Sequence, residues 1–237
     1  MSVFERKIKI QYGDVTVHGE LRPSALLKMI TESGAEHYAQ LNAENQAAAD
    51  KNYLLVIVFH DLQISRMPKL GETVTLETWP GKTTFVLFPR YTRILDEAGQ
   101  VIITSNSRWT LMDRTTRQFA SLSRYQFSIP EEHADHKMPS LPGIQRIATT
   151  ESREITVPYC FVDINGHLSN AHYLDLAENV LPEAAEGRKL REINIEYSCE
   201  IPAGKTFTLS WGAAGNRRYF SGDAERHLFR MNLDYGP

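Results

Sequence analysis

Tyr159-Cys-Phe-Val-Asp163-Ile-Asn165-Gly166-His167-Leu168-Ser-Asn170-Ala-His-Tyr173-Leu174 is the stretch on which the reading of this chain turns. Set without gaps beside Tyr12-Gly-Asp-Val-Thr16-Val-His18-Gly19-Glu20-Leu21-Arg-Pro23-Ser-Ala-Leu-Leu27, it brings Tyr12 onto Tyr159, Gly19 onto Gly166, Leu21 onto Leu168 and Leu27 onto Leu174. Further on, Gly71-Glu-Thr-Val-Thr-Leu resembles Gly204-Lys-Thr-Phe-Thr-Leu. Each match is weak alone. Because they recur in the same order, they argue for a duplicated unit.

Each unit reads as strand, turn, helix and then several strands. Val3, Ile8 and Ile10 begin an alternating pattern that looks like the first strand. Pro23 suits an early helical position, and Leu26, Ile30, Gly34, Tyr38 and Leu41 follow as a helical stripe. Residues 53–64 form a long apolar run. Thr73–Trp79, Thr83–Leu95 and Val101–Met112 read as strands, with Asp96-Glu-Ala-Gly99 as a turn. In the second unit the strands expected are Glu192–Ile201, Thr206–Trp211, Arg217–Ser221 and His227–Tyr235. Turns are expected at Pro202-Ala-Gly204, Gly212–Asn216 and Ser221–Ala224. One mostly buried helix and a run of antiparallel strands per unit implies an α+β fold with the sheet wrapped around the helix. The expected division is an N-terminal unit over residues 1–130, a Pro-rich and charged linker over 131–152, and a C-terminal unit over 153–237.

Asp163, Asn165 and His167 stand at i, i+2 and i+4, so in an extended run their side chains share one side. A helix follows, with Tyr173, Leu176, Ala177, Val180 and Leu181 as its stripe, Ser169 or Asn170 as N-cap, and Pro182 where it should stop. An acid, an amide and an imidazole would then gather at a helix N-terminus. Free N–H groups near Gly166–Leu168 and the macrodipole would favour an oxyanion there. The competing reading makes Asp, Asn and Ser simple caps and His167 a surface residue. The repeat decides between them: opposite these three residues the first unit carries Thr16, His18 and Glu20. The fold does not demand the Asp-Asn-His set, so chemistry is the better explanation.

The 237 residues suffice for one large domain or two small ones. A net charge of −3 points to neither nucleic acid nor an anionic membrane as partner. No apolar run approaches the roughly 18 residues needed to span a bilayer, and the first residues lack the apolar core of a signal peptide. A soluble cytoplasmic protein is expected. Cys160 and Cys199 read as packed thiols or a pair, with no disulfide framework. No metal-ligand spacing such as paired Cys-x-x-Cys is present.

A duplicated strand–helix–sheet unit with Asp-x-Asn-x-His opening the second helix resembles the acyl-acyl-carrier-protein thioesterases, the plant FatA and FatB enzymes and their bacterial relatives. The resemblance covers most of the chain. The family pattern Asp-x-Asn-x-His-x-x-Asn-x-x-Tyr is met at Asp163, Asn165, His167, Asn170 and Tyr173. A second pattern, Glu-Tyr-x-x-Glu-Cys, appears as Glu196-Tyr197-Ser198-Cys199-Glu200-Ile201. The resemblance implies tandem hot-dog folds, each a long helix wrapped by an antiparallel sheet, with the acyl-chain pocket in the first unit. It implies hydrolysis of fatty acyl-acyl-carrier protein to free fatty acid, with acyl carrier protein as partner and no cofactor or metal. Carried over residue by residue, Asp163, Asn165, His167 and Glu200 form the catalytic set. One departure matters: the family's cysteine after the second Glu is Ile201 here. In a strand Cys199 and Ile201 would share a face opposite to Glu200, so a carboxylate-driven mechanism is favoured over a Cys nucleophile. Glu200 is then the general base or water-orienting group, working with His167. Asn165 and nearby N–H groups would hold the carbonyl or the water, and Asp163 would orient them or attack the thioester itself. The plant enzymes' N-terminal transit extension has no counterpart here, which fits a bacterial protein.

Three rivals stand beside this reading: an acyl-CoA thioesterase, a hydratase or dehydratase on the same fold, and a non-catalytic acyl-thioester sensor. Arg188-Lys189 with Arg191, Arg217-Arg218, and Arg66 with Lys69 are basic clusters weighed as docking surface for an acidic carrier, against the plainer reading as solvated charge. Hot-dog units must pair to complete sheet and site. The tandem repeat meets that need within one chain, and the sequence leaves a homodimer of the full chain open.

Overall fold

The computed structural model describes residues 3–44, 52–81, 87–120 and 143–236. The first unit contains β1 (Phe4–Lys9), α1 (Pro23–Glu44), β2 (Tyr53–Ile64), β3 (Thr73–Pro80), β4 (Phe88–Leu95) and β5 (Val101–Asp113). The second contains β6 (Glu151–Thr156), α2 (His172–Glu178), α3 (Pro182–Glu186), β7 (Leu190–Tyr197), β8 (Thr206–Ala214), β9 (Arg217–Asp223) and β10 (His227–Tyr235). A 3₁₀ turn follows the first strand in each unit, at Tyr12–Asp14 and Tyr159–Phe161.

The strands form one antiparallel ten-stranded sheet in the order β1-β3-β4-β5-β2-β7-β10-β9-β8-β6. Each unit contributes five neighbours, and β2 and β7 join them, pairing Asp61 with Asn194 and Leu62 with Ile193. The shift that superposes Gly71 on Gly204 also carries Asp61 onto Asn194, its own cross-strand partner. A local two-fold therefore passes through this pair. Equivalent hydrogen bonds recur on both sides of it. Leu21 N–H donates to the Pro68 carbonyl at 2.8 Å, and Leu168 N–H donates to the Ile201 carbonyl at 2.8 Å. The duplication read from weak sequence matches is thus present bond by bond.

The two helices differ sharply. α1 buries Leu26, Leu27, Ile30, Ser33, Gly34 and His37 along one stripe and turns Lys28, Glu32 and Glu36 outward. It packs on β3 and β1, and each fully buried leucine or isoleucine contributes about 1.5–3 kcal/mol. α2 is only seven residues long, shorter than the stripe to Leu181 implied. Leu181 is extended at φ −104°, ψ 124°, and Pro182 opens α3 rather than ending a helix. A residue before proline is pushed out of the helical region, which breaks the run. Leu181 is still buried, so its apolar character belonged to the core and not to a helix. Tyr173 anchors α2, meeting Tyr197 and Phe229 edge-on at 5.1 and 4.8 Å.

Strand boundaries carry two further differences. β4 is described from Phe88, and the expected start at Thr83 falls outside the described residues. β7 ends at Tyr197, not at Ile201: Ser198 and Cys199 both direct their N–H groups to the Leu228 carbonyl, at 2.9 and 3.0 Å, and the chain leaves the sheet. Of the expected linker, residues 131–142 lie outside the described residues. Residues 143–150 cross the sheet face away from the helices, where Gln145 and Asn232 exchange hydrogen bonds of 2.6 and 2.9 Å. Gly212 permits that crossing, because a Cβ there would stand 2.0 Å from the Ala148 carbonyl oxygen. No described helix is long and apolar enough to cross a membrane.

Candidate active site

Residues 162–168 form a tight turn rather than an extended run. Val162 and Leu168 are bridged, Asp163 N–H donates to the His167 carbonyl at 2.9 Å, and Gly166 N–H donates to the Asp163 carbonyl at 3.0 Å. Gly166 has φ +82°, a conformation glycine adopts without cost. Asp163 ties the turn internally. Its Oδ1 accepts from the Asn165 N–H at 2.8 Å and from the His167 N–H at 3.4 Å, and its Oδ2 faces Asn165 Nδ2 at 3.4 Å. Ile164 is left fully exposed at the tip.

Two expectations change accordingly. The helix starts at His172, five residues past His167, behind an Ala171 cap residue in helical conformation, so neither Ser169 nor Asn170 caps it by side chain. The N–H groups of Gly166, His167 and Leu168 are all bonded within the fold. They are therefore not free for an oxyanion, and the donors at this turn are side chains.

The turn is held against the loop that follows β7. His167 is bridged to Pro202, and Leu168 bonds to Ile201. This places His167 Nδ1 3.7 Å from Glu200 Oε1. Arg117, from the turn after β5 in the first unit, forms an ion pair with Glu200 Oε2. Because residues 198–200 are not strand, Cys199 and Glu200 both line the same cleft while Ile201 is wholly buried. The opposite-face expectation for Cys199 is thus overturned. Both cysteines are free thiols, and Cys160 is exposed rather than packed.

The cleft has a volume of about 220 Å³ and holds all four residues singled out from the sequence, Asp163, Asn165, His167 and Glu200. Its other wall is apolar and comes from the first unit: Leu55, Ile57, Trp109, Met112 and Phe119, with Thr31 of α1 at the junction. Tyr173 and Tyr197 close its second-unit side. Burial, with Cys199, Glu200 and Asp163 nearby, pushes the Tyr173 hydroxyl well above its ordinary range and keeps it neutral. A larger groove of about 1030 Å³ between α1 and α2 meets the cleft at Thr31, Asp163, Asn165 and Asn170. Glu178 lines that groove, and burial together with Asp175 raises its carboxyl to about 7. His172 is occupied structurally, with Nδ1 2.6 Å from Asp175 Oδ2 and its ring stacked on Phe161 at 4.3 Å. Among the described residues, no three His, Cys, Asp or Glu side chains are grouped to hold a metal ion.

The counterpart turn in the first unit has the same backbone and different contacts. Thr16 N–H donates to the Glu20 carbonyl at 2.8 Å, and Gly19 has φ +71°. Glu20 there pairs with Lys189 at 2.5 Å, and His18 lies over Gly187, 3.0 Å from where a Cβ would stand. Thr31, Arg117 and Glu178 went unread in the sequence. A threonine on a helix, an arginine in a polar turn and a glutamate on an amphipathic face carry no local signal.

Two strand–turn–helix–sheet units joined through a continuous sheet, with polar side chains clustered where they meet, define a double hot-dog protein. Solved structures share this architecture over nearly their whole length. An acyl-ACP thioesterase from Bacteroides thetaiotaomicron superposes with a TM-score of 0.81 at 18% identity, covering 99% of this chain and 98% of that one. The 12:0-ACP thioesterase from Umbellularia californica gives 0.80 at 16% identity, covering 99% and 97%. The acyl-ACP thioesterase N-terminal domain matches residues 1–125 and the acyl-ACP thioesterase C-terminal domain residues 144–231, and the chain belongs to this family. Acyl-[acyl-carrier-protein] hydrolase FATB2, chloroplastic, of Cuphea viscosissima is 22% identical over 216 residues, covering 84% of this chain and 52% of that protein. The chain spans about half the length of the curated relatives it matches.

Proposed function

We propose that the protein hydrolyses the thioester of fatty acyl-acyl-carrier protein, releasing free fatty acid and ending chain growth. The observation that carries this reading is the meeting of His167 and Glu200 at 3.7 Å over an apolar cleft, in a chain of this family. The cleft wall of the first unit, within residues 1–130, takes the acyl chain, and the second unit, residues 153–237, supplies the reacting groups. Glu200, with His167, draws a proton from water as its oxygen attacks the carbonyl carbon. Asn165 Nδ2 and the His167 ring are the donors for the resulting oxyanion, because the N–H groups of Gly166, His167 and Leu168 are committed. Collapse of the tetrahedral adduct breaks the C–S bond, and the proton passes to the leaving thiolate. Asp163 acts by holding Asn165 and His167 in place, since both its oxygens face groups of its own turn.

Acyl carrier protein is the partner in this reading and the cytoplasm its compartment. One chain holds both walls of the cleft, so the site does not require a homodimer. The arginine clusters weighed as docking surface are engaged internally: Arg66 with Glu72 and Asp96, Arg217 with Glu192 and Asp234, Arg218 with Glu183.

The test is thiol release from a panel of acyl-carrier-protein and acyl-CoA thioesters, repeated on folded Glu200→Ala and His167→Ala. Faster hydrolysis of the carrier-protein thioesters, lost in both variants, is the expected result. Equal or better rates on acyl-CoA would move the substrate assignment. Binding without thiol release would overturn hydrolysis in favour of a hydratase or a sensor.

A further inference from the structure

Arg117 is, among the described residues, the only non-glycine with a left-handed backbone, at φ 55°. Long side chains seldom occupy that region, and such residues persist only where their surroundings force them to. Here the forcing is visible. Arg117 N–H donates to the Asp113 carbonyl at 2.9 Å, and Asp113 N–H donates to the Gln118 carbonyl at 2.9 Å. Asp113 Oδ1 takes the N–H groups of Thr115 and Thr116, each at 2.8 Å. The turn is locked around the residue that strains it.

Stability does not explain this. The ion pair from Arg117 to Glu200 joins side chains that are 35% and 30% exposed, and pairs of that kind contribute little once screened by solvent. What the strained turn achieves is reach. It carries a guanidinium of the first unit onto a carboxylate of the second, 83 residues away in the chain. The pair engages Oε2 of Glu200 and leaves Oε1 as the oxygen facing His167 Nδ1. His167 Nδ1 is itself buried without a hydrogen-bond partner, so the orientation of Glu200 decides what that nitrogen meets. Two residues beyond Arg117, Phe119 lines the cleft, so the same turn also shapes the apolar wall.

We propose that Arg117 is the positioning residue for Glu200, a group through which the first unit sets the geometry of the second unit's reacting carboxylate. This rests on the hydrolytic reading of the cleft. It assigns Arg117 no contact with substrate: it acts by fixing which oxygen of Glu200 faces His167.

Arg117→Gly is the decisive variant, because glycine takes the left-handed conformation freely and the turn keeps its backbone bonds. Its melting temperature should equal or exceed that of the wild type. On an acyl-carrier-protein thioester, kcat should fall roughly 10–100-fold with KM changed less than about 3-fold. Guanidinium ion added to the assay, and separately the Arg117→Lys variant, should recover part of kcat. In a Glu200→Gln background, Arg117→Gly should cost nothing more. Crystal structures of wild type and Arg117→Gly supply a readout free of turnover: Glu200 should turn away from His167 in the variant. An undiminished kcat beside an active wild type, a loss confined to KM, or a Glu200 unmoved in the variant crystal would each overturn the proposal. A wild type that hydrolyses no thioester would instead sink the functional reading, and the crystal comparison would still decide the role of Arg117.

Discussion

At the scale of single residues, the site owes its shape to side chains that spend themselves on their own backbone. Asp163 is the clearest case, with Oδ1 receiving the N–H groups of Asn165 and His167. A group so engaged orients its neighbours. Asp163→Asn keeps an acceptor in place, so kcat should stay within about 10-fold of wild type, whereas Asp163→Ala should lose roughly 100-fold. Abolished turnover in the asparagine variant, measured as thiol release, would instead identify Asp163 as the attacking nucleophile. Gly166 permits a second prediction. A methyl group there meets no atom within 4 Å, but the φ of +82° is costly for alanine. Gly166→Ala should therefore cost about 1–2 kcal/mol, read in a thermal melt, and misplace His167 enough to lower kcat. The glycine was legible only as a match to Gly19 in the repeat, and its role in the turn comes from the structure. The spacing of Asp163, Asn165 and His167 was legible as a cluster but not as a turn. The i, i+2, i+4 pattern fits an extended run equally well, and it is the bonds of Asp163 N–H to the His167 carbonyl and of Gly166 N–H to the Asp163 carbonyl that separate the two.

At the scale of elements, strands were legible and ends were not. Alternation in β3, β5, β8 and β10 reflects burial on one sheet face, so it survives in the sequence. The loss of β7 after Tyr197 depends on the Leu228 carbonyl receiving two N–H groups, a contact with a strand about thirty positions away. α2 was overextended because Val180 and Leu181 continue an apolar stripe that the core needs and the helix does not. Arg117 was invisible for the same physical reason, since its meaning lies in a residue of the other unit. The elements also predict how acyl chains are sorted. β2 and β5 supply Leu55, Ile57, Trp109 and Met112 to the cleft, and a methylene accepted or refused by an apolar pocket changes kcat/KM by roughly 10–200-fold. Trp109→Ala should shift preference toward longer chains, and Ile57→Trp toward shorter ones. Competition among acyl thioesters of graded length, with the released acids quantified, would show either shift. An unchanged length profile in both variants would mean the chain lies elsewhere.

At the scale of the whole molecule, the seam between β2 and β7 carries an unusual group. Asp61 is 1% exposed, accepts a 3.1 Å hydrogen bond from Asn194 and has Arg108 only at 4.0 Å. Burial raises its carboxyl from 3.8 to about 7, although Arg108 and Asn194 act in the opposite sense. A raised acid keeps its proton in the folded state while the unfolded chain has released it. Its contribution to stability thus falls as pH climbs from about 4 to about 7, then levels off. Asp61→Asn removes that loss and copies the partner across the local two-fold. The variant should melt with the wild type near pH 4.5 and several degrees above it at pH 8, on the order of 2–4 °C for each kcal/mol recovered. An equal difference at both pH values would show that Asp61 does not titrate between them.

The two matching turns, Thr16–Glu20 and Asp163–His167, have a consequence for how this protein tolerates change. In an assembly of two identical single-unit chains, every substitution is made twice, and a residue tuned for one half is imposed on the other. Here each substitution is made once. The first turn was free to give its surface to an ion pair with Lys189 while the second kept an acid, an amide and an imidazole, and neither choice burdened the other. Engineering inherits the same freedom. A cleft reshaped at Trp109 leaves the corresponding position beyond the two-fold, and the packing it supports, untouched.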